Sequence, residues 1–181
     1  MSSHKLAGVN DDFLKWLNKK YGEHGEVKAV RGNEHDYLGM TFHFGNGEVK
    51  IDMVDYVEDM LKEFPVKFNK DTEKAPAVAG IDLFKEDLSK KLNEKEREVF
   101  HRTVAKALFL CKRARPDIQT ATAVLCGRVK APGRKEWSKL VRMMKFLHIT
   151  KKDKLTLSVG KGITQLEWYV DAAFGVHPEY K

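Results

Sequence analysis

The spacing of apolar and polar positions changes several times along this chain, and each change predicts an element. Near the start, Phe13, Leu14, Trp16 and Leu17 give a helix one apolar face. Asn10 or Asp11 can cap that helix, and Tyr21-Gly22 ends it. Strand-like segments follow over 26–31, 36–44 and 48–53. Gly45-Asn46-Gly47 joins the last two, because Asn-Gly supplies the positive φ angles of a tight hairpin. Helical spacing returns at Val54, Val57, Met60 or Leu61 and Phe64, and Pro65 terminates it. Residues 65–92, with Pro65, Pro76, Gly80 and many charges, read as a linker or an irregular excursion.

Three more helices are predicted beyond it. Asn93 with Glu96 forms a capping-box pattern that opens a helix to about Arg115. Val99, Phe100, Thr103, Val104, Ala107, Leu108 and Cys111 share its broad face. Pro116 suits the first turn of the next helix, with Ile118, Ala121, Leu125 and Val129 inward and Pro132-Gly133 as breaker. The third runs over 134–148 on a stripe of Trp137, Leu140, Val141, Met144 and Leu147. Lys135, Lys139, Arg142 and Lys145 lie on its other side. Two strands, 154–159 and 166–171, are joined through Gly160-Lys161-Gly162.

Charge sharpens this picture. Residues 1–92 hold 14 Lys/Arg against 17 Asp/Glu, whereas 97–154 hold 16 against 4, which points the second half towards a nucleic-acid partner. The competing reading is solubility charge on a helical surface. With 42% hydrophobic residues the chain can build a core. No apolar run approaches the roughly 20 residues of a membrane helix, and residues 1–10 carry no apolar signal region, so an intracellular site, cytoplasmic or nuclear, is expected without a membrane. Cys111 and Cys126 lie in helical patterns without a close histidine partner and read as buried thiols.

Some chemistry is only apparent. Tyr56-Val57-Glu58-Asp59 resembles the Tyr-x-Asp-Asp box of reverse transcriptases, but it sits inside an amphipathic helical pattern. Asp55, Glu58, Asp59 and Glu63 therefore read as a solvated face. The seven histidines have no metal spacing, and His35 reads as a loop-edge residue. Trp16, Trp137 and Trp168 read as core anchors. Gly39, in Asp36-Tyr37-Leu38-Gly39-Met40, reads on physics alone as a packed strand glycine. Lys112, Arg113 and Arg115 crowd a helix end, where interaction with the terminal carbonyls competes with any ligand role.

Four segments in order carry a resemblance. Tyr37-Leu38-Gly39-Met40, followed by a hairpin and a helix, resembles the primer grip of copia-like retrotransposon polymerases. Ala114-Arg115-Pro116-Asp117-Ile118 resembles that family's Thr/Ala-Arg-Pro-Asp-Ile signature between two thumb-region helices. Trp137 with 140–147 and Thr150 resembles the next helix. Tyr169-Val170-Asp171-Ala172-Ala173-Phe174 resembles the strand that opens RNase H.

The resemblance implies an α+β chain in three parts: a palm remnant with the grip hairpin (1–53), thumb-like helices (54–150) and the start of an RNase H-like sheet (151–181). It implies RNA-directed DNA synthesis with magnesium for the full-length family. Here the polymerase aspartates have no counterpart and Asp171 alone maps onto the RNase H carboxylates, so no cofactor and no independent catalysis are expected. One carboxylate cannot build a two-metal site. The implied partner is an RNA–DNA hybrid or DNA duplex, along with the missing polymerase and RNase H segments. The implied contacts are Tyr37, Leu38, Gly39 and Met40 at the grip. Arg113, Arg115, Lys135, Lys139, Arg142 and Lys145 would meet phosphates. The rival readings are a repurposed basic interaction protein, a truncated RNase H-like nuclease and a decayed gene product.

Overall fold

The computed structural model describes residues 6, 8–69, 73–78, 83–85 and 87–158. Helices and one antiparallel sheet make up a mixed architecture, as expected of an α+β chain. The order is α1 (Val9–Tyr21), β1 (Glu34–Tyr37), β2 (Met40–Gly45), β3 (Glu48–Asp52), α2 (Val54–Glu63), α3 (Glu94–Cys111), α4 (Gln119–Cys126), α5 (Arg134–Ile149) and β4 (Leu155–Ser158). A short 3-10 turn, Pro116–Ile118, leads into α4.

The sheet is built from two successive two-residue hairpins. Asn46 (φ 52°) and Gly47 (φ 74°) close the expected one, with Gly45 opposite Glu48. Leu38 (φ 51°) and Gly39 (φ 75°) close another, with Tyr37 opposite Met40. Paired positive φ angles are the signature of a type I′ turn, whose twist suits antiparallel strands. The single strand expected over 36–44 is therefore two strands, and Gly39 sits at a turn instead of packing within a strand. No strand forms over 26–31, which has no regular secondary structure and is mostly exposed.

β4, in the segment read as the start of an RNase H-like sheet, pairs antiparallel with β3, with Ile51 opposite Leu155 and Glu48 opposite Ser158. One face of the sheet is apolar, formed by Met40, Phe42, Val49, Ile51 and Leu155, all packed on the core. The other is polar. There His43 reaches Glu34 (Nδ1, 3.0 Å) and Asp52 (Nε2, 2.8 Å), while Lys154 reaches the same Asp52 oxygen at 3.0 Å. Side-chain alternation on a pleated strand separates the two faces.

The helices cover the apolar face. Asn93 and Glu96 form the expected capping box of α3, with 3.0 and 3.1 Å hydrogen bonds. Phe100, Leu110, Ile118, Leu125, Leu140, Met143, Met144 and Leu147 are fully buried. Each such side chain contributes about 1.5–3 kcal/mol by leaving water. Ile51 and Met53 of the sheet end lie in the same cluster, so the expected boundary at 53/54 does not separate two cores. Leu108 departs from its expected inward place: it is exposed, and Leu110 is buried instead.

Helix α1 is different. It begins at Val9 after Gly8, not at a cap from Asn10 or Asp11, and none of its residues is buried. Its ties run to the segment that follows it: Asn18 accepts from the Val27 amide at 2.8 Å, and Asp11 pairs with Arg31. Phe13, Trp16 and Tyr21 are exposed large aromatics, so Trp16 is no core anchor. No helix among the described residues is long and apolar enough to cross a membrane.

Candidate nucleic-acid interface

Two surfaces hold the residues singled out by the resemblance. The first is the Leu38-Gly39 turn. Tyr37 and Leu38 are 57% and 60% exposed, so the apolar pair at the tip is available to a partner. A left-handed leucine costs about 1 kcal/mol, a local strain of the kind that clusters at functional sites. Met40 lies behind the tip, half-buried against the core. His35 sits beside it, with Nε2 2.9 Å from the Gly32 carbonyl and its ring edge-on to Phe44.

The second surface is the polar side of α5. The stripe of Lys135, Lys139, Arg142 and Lys145 is less open than its spacing suggested. Glu73 and Leu83, from the irregular stretch before α3, lie against it. Lys139 Nζ donates to the Leu83 carbonyl at 2.8 Å, and Arg142 pairs with Glu73 at 2.9 Å. The Arg142 Nε is buried without a hydrogen-bond partner. Between this stretch and the helix lies a cavity of about 360 Å³, lined by Glu73, Val78, Ser138, Lys139, Arg142 and Lys145 among others. Lys135 is exposed at the first turn.

The same stretch clamps the start of α5. Gly133 precedes the helix and has no side chain to cap it. Asp87 takes that role from a distance: its carboxylate accepts from the amides of Lys135 (2.8 Å), Glu136 (3.1 Å) and Ser89 (2.7 Å). The Glu136 side chain in turn accepts from the Gly133 amide at 2.9 Å. Burial alone would raise the Asp87 carboxyl. Hydrogen bonds from Glu136 and Ser89 outweigh it and hold Asp87 far below the ordinary carboxylate range. Glu136 moves the other way, raised by burial and then by the Asp87 carboxylate. Glu136 is thus shifted upward while Asp87 keeps its charge at the positive end of the helix.

Arg115 is a correction. It was expected to meet phosphate, but it is 3% exposed and fully engaged. Its guanidinium holds Asp117 through Nε (3.0 Å) and Nη2 (2.7 Å), and Thr150 through its carbonyl (2.9 Å) and hydroxyl (2.6 Å). The Ala-Arg-Pro-Asp-Ile segment is thereby a latch between the α3–α4 corner and the end of α5. Arg113 lies over the Phe109 ring at 3.5 Å and donates to the Phe109 carbonyl at 3.2 Å, the helix-end interaction weighed above.

The apparent catalytic box is helical, as expected. Tyr56 stacks near Phe109 with ring centres 5.3 Å apart. Glu58 and Glu63 are not merely solvated, because they pair with Lys151 and Lys106 at 2.7 and 2.6 Å. Trp137 is a core anchor, stacked on Phe64. Asp171, Trp168 and the strand expected over 166–171 lie outside the described residues. Among the described residues no three His, Cys, Asp or Glu side chains form a group that could hold a metal.

Sequence reasoning missed Glu73, Leu83 and Asp87, because 65–92 has no periodicity to mark inward positions. The one available signal was Gly133 before a helix whose third residue is Glu136: half a capping box without its partner. In the comparisons, no protein-family model, curated protein or solved structure gives a significant match to this chain.

Proposed function

We propose that this chain is the grip-and-thumb portion of a copia-like RNA-directed DNA polymerase, and that it holds an RNA–DNA hybrid or DNA duplex through backbone phosphates. The observation that carries the reading is the joint anchoring of two surfaces. The exposed Tyr37-Leu38 tip and the basic side of α5 rise from elements sharing one packed core. A rigid link between an apolar tip and a row of cations suits a partner with regular shape and repeating charge. Lys135, Lys139, Arg142 and Lys145 fix register on phosphates without reading sequence. Arg115 serves the same surface by fixing the corner behind it. The exposed aromatic face of α1 supports attachment of this part to a further domain. The magnesium chemistry implied for the full-length family has no set of ligands among the described residues, so no catalytic step is assigned to them.

The test is anisotropy of a fluorescent RNA–DNA hybrid across a salt series, with the parent and the Lys139→Glu/Arg142→Glu variant. Steep salt dependence and a loss of tenfold or more in the variant are expected. Absence of binding by the folded chain at low salt refutes the reading. Weak, salt-insensitive binding would identify a basic interaction protein instead.

A further inference from the structure

We propose that the cavity over α5 is a phosphodiester seat that the chain fills with its own Glu73 carboxylate, so that a nucleic-acid strand binds by exchange for Glu73. The proposal rests on the duplex-binding reading and adds a built-in competitor to it. Among the described residues Lys139, Arg142 and Lys145 line the cavity with Ser138, and Glu73 is the one carboxylate lining it. Glu73 sits 2.9 Å from an Arg142 terminal nitrogen, and both side chains are about two-thirds to three-quarters covered. A carboxylate and a phosphate engage the guanidinium fork through the same pair of oxygens. Arg142 has donor capacity left, since its Nε is buried without a partner.

The cover is held down at points that exchange would not disturb. Leu83 is buried and its carbonyl accepts from Lys139. Asp87 is fixed at the start of α5. Further back, Phe64 and Phe68 stack with centroids 5.9 Å apart, and Phe68 stacks on His148 at 5.6 Å. Glu73 therefore acts on Arg142 from an anchored stretch. Releasing it requires breaking one ion pair, while the buried anchors stay in place.

Exchange has a signature distinct from general electrostatics. When phosphate replaces Glu73 on Arg142, one anion substitutes for another, and Arg142 releases no counterion of its own. Removing the Glu73 charge frees that site. Each phosphate neutralised adds about 0.9 to the slope of log K against log salt for duplex DNA. The experiment measures hybrid affinity from low to moderate salt for the parent, Glu73→Gln, Arg142→Gln, the double variant and Glu58→Gln as a charge control elsewhere. Glu73→Gln should bind up to about fivefold more tightly, the upper range of an exposed ion pair, and steepen the salt slope by about one. Arg142→Gln should weaken binding in the parent, and weaken it more in the Glu73→Gln background, where it abolishes the gain. Equal gains from Glu73→Gln and Glu58→Gln, or an equal loss from Arg142→Gln in both backgrounds, would overturn the exchange and leave duplex binding standing. Failure of every folded variant to bind overturns both readings.

Discussion

Gly133→Ala measures the remote cap on α5 directly. Gly133 has φ −105° and ψ −176°, extended backbone that alanine adopts without strain. The cost must come from contact alone. A methyl group there would lie 2.7 Å from the Asp87 carboxyl carbon and 3.0 Å from the Ser89 hydroxyl, closer than real contacts allow. The carboxylate must then leave the amides of Lys135 and Glu136. Losing a helix cap costs about 1 kcal/mol, and leaving a buried amide unsatisfied costs about 1–3 kcal/mol. Gly133→Ala should therefore destabilise the chain by about 2 kcal/mol, and Asp87→Ala by about 2–4 kcal/mol. In the Asp87→Ala background the methyl group meets no carboxyl, so Gly133→Ala should cost less than about 0.5 kcal/mol. The assay is urea unfolding followed by tryptophan fluorescence and circular dichroism, arranged as a double-mutant cycle. Equal costs in both backgrounds would refute the argument. The cycle also has a pH dependence. Asp87 is depressed in the folded state, so its contribution is complete above its unfolded value near about 4 and fades as pH falls below that. Glu136 is raised, so its contribution is present below its own unfolded value and is lost as pH rises through the folded one.

Other expectations follow from the same geometry. Arg115→Met should destabilise by about 1–3 kcal/mol in urea unfolding, because Thr150 and Asp117 lose the hydrogen bonds of their shared partner. The salt slope of hybrid binding should stay unchanged where that variant is folded, and a shallower slope would return Arg115 to the interface. Leu38→Asn should stabilise the hairpin by about 0.5–1 kcal/mol, since asparagine tolerates the left-handed turn, yet weaken hybrid binding in anisotropy. Unchanged affinity would remove the turn from the interface. Trp16→Ser should change the unfolding free energy by less than about 0.5 kcal/mol, whereas Leu140→Ala should cost about 2–5 kcal/mol. A large loss from Trp16→Ser would place α1 within the cooperative core.

Local patterns carried the helices well. Asn93 and Glu96 declared the start of α3, Pro65 follows the end of α2, and the stripe through Leu140, Met144 and Leu147 is the buried side of α5. Asn46-Gly47 gave its hairpin because the residue types meet the backbone requirement. Leu38-Gly39 hid the other hairpin, since leucine resists the left-handed region and only the surrounding strand pairing holds it there. Amphipathic spacing shows which side of a helix faces away from the core, but not what else crosses that side. The basic stripe of α5 was legible, while its cover by Glu73, Leu83 and Asp87 was not. Arg115 misled for a related reason: guanidinium chemistry suits a phosphate and a protein carboxylate equally, and only placement chooses between them.

The sequence by itself determined the local elements, because caps, turn residues and apolar spacing act within a few neighbours. Tertiary structure alone decided that β4 joins the hairpin sheet, that a glycine-started helix borrows its cap from Asp87, that Arg115 reaches Thr150 and that Arg142 holds Glu73. Those outcomes depend on contacts between residues tens of positions apart, where pairing and burial in three dimensions outweigh any preference written in the chain nearby.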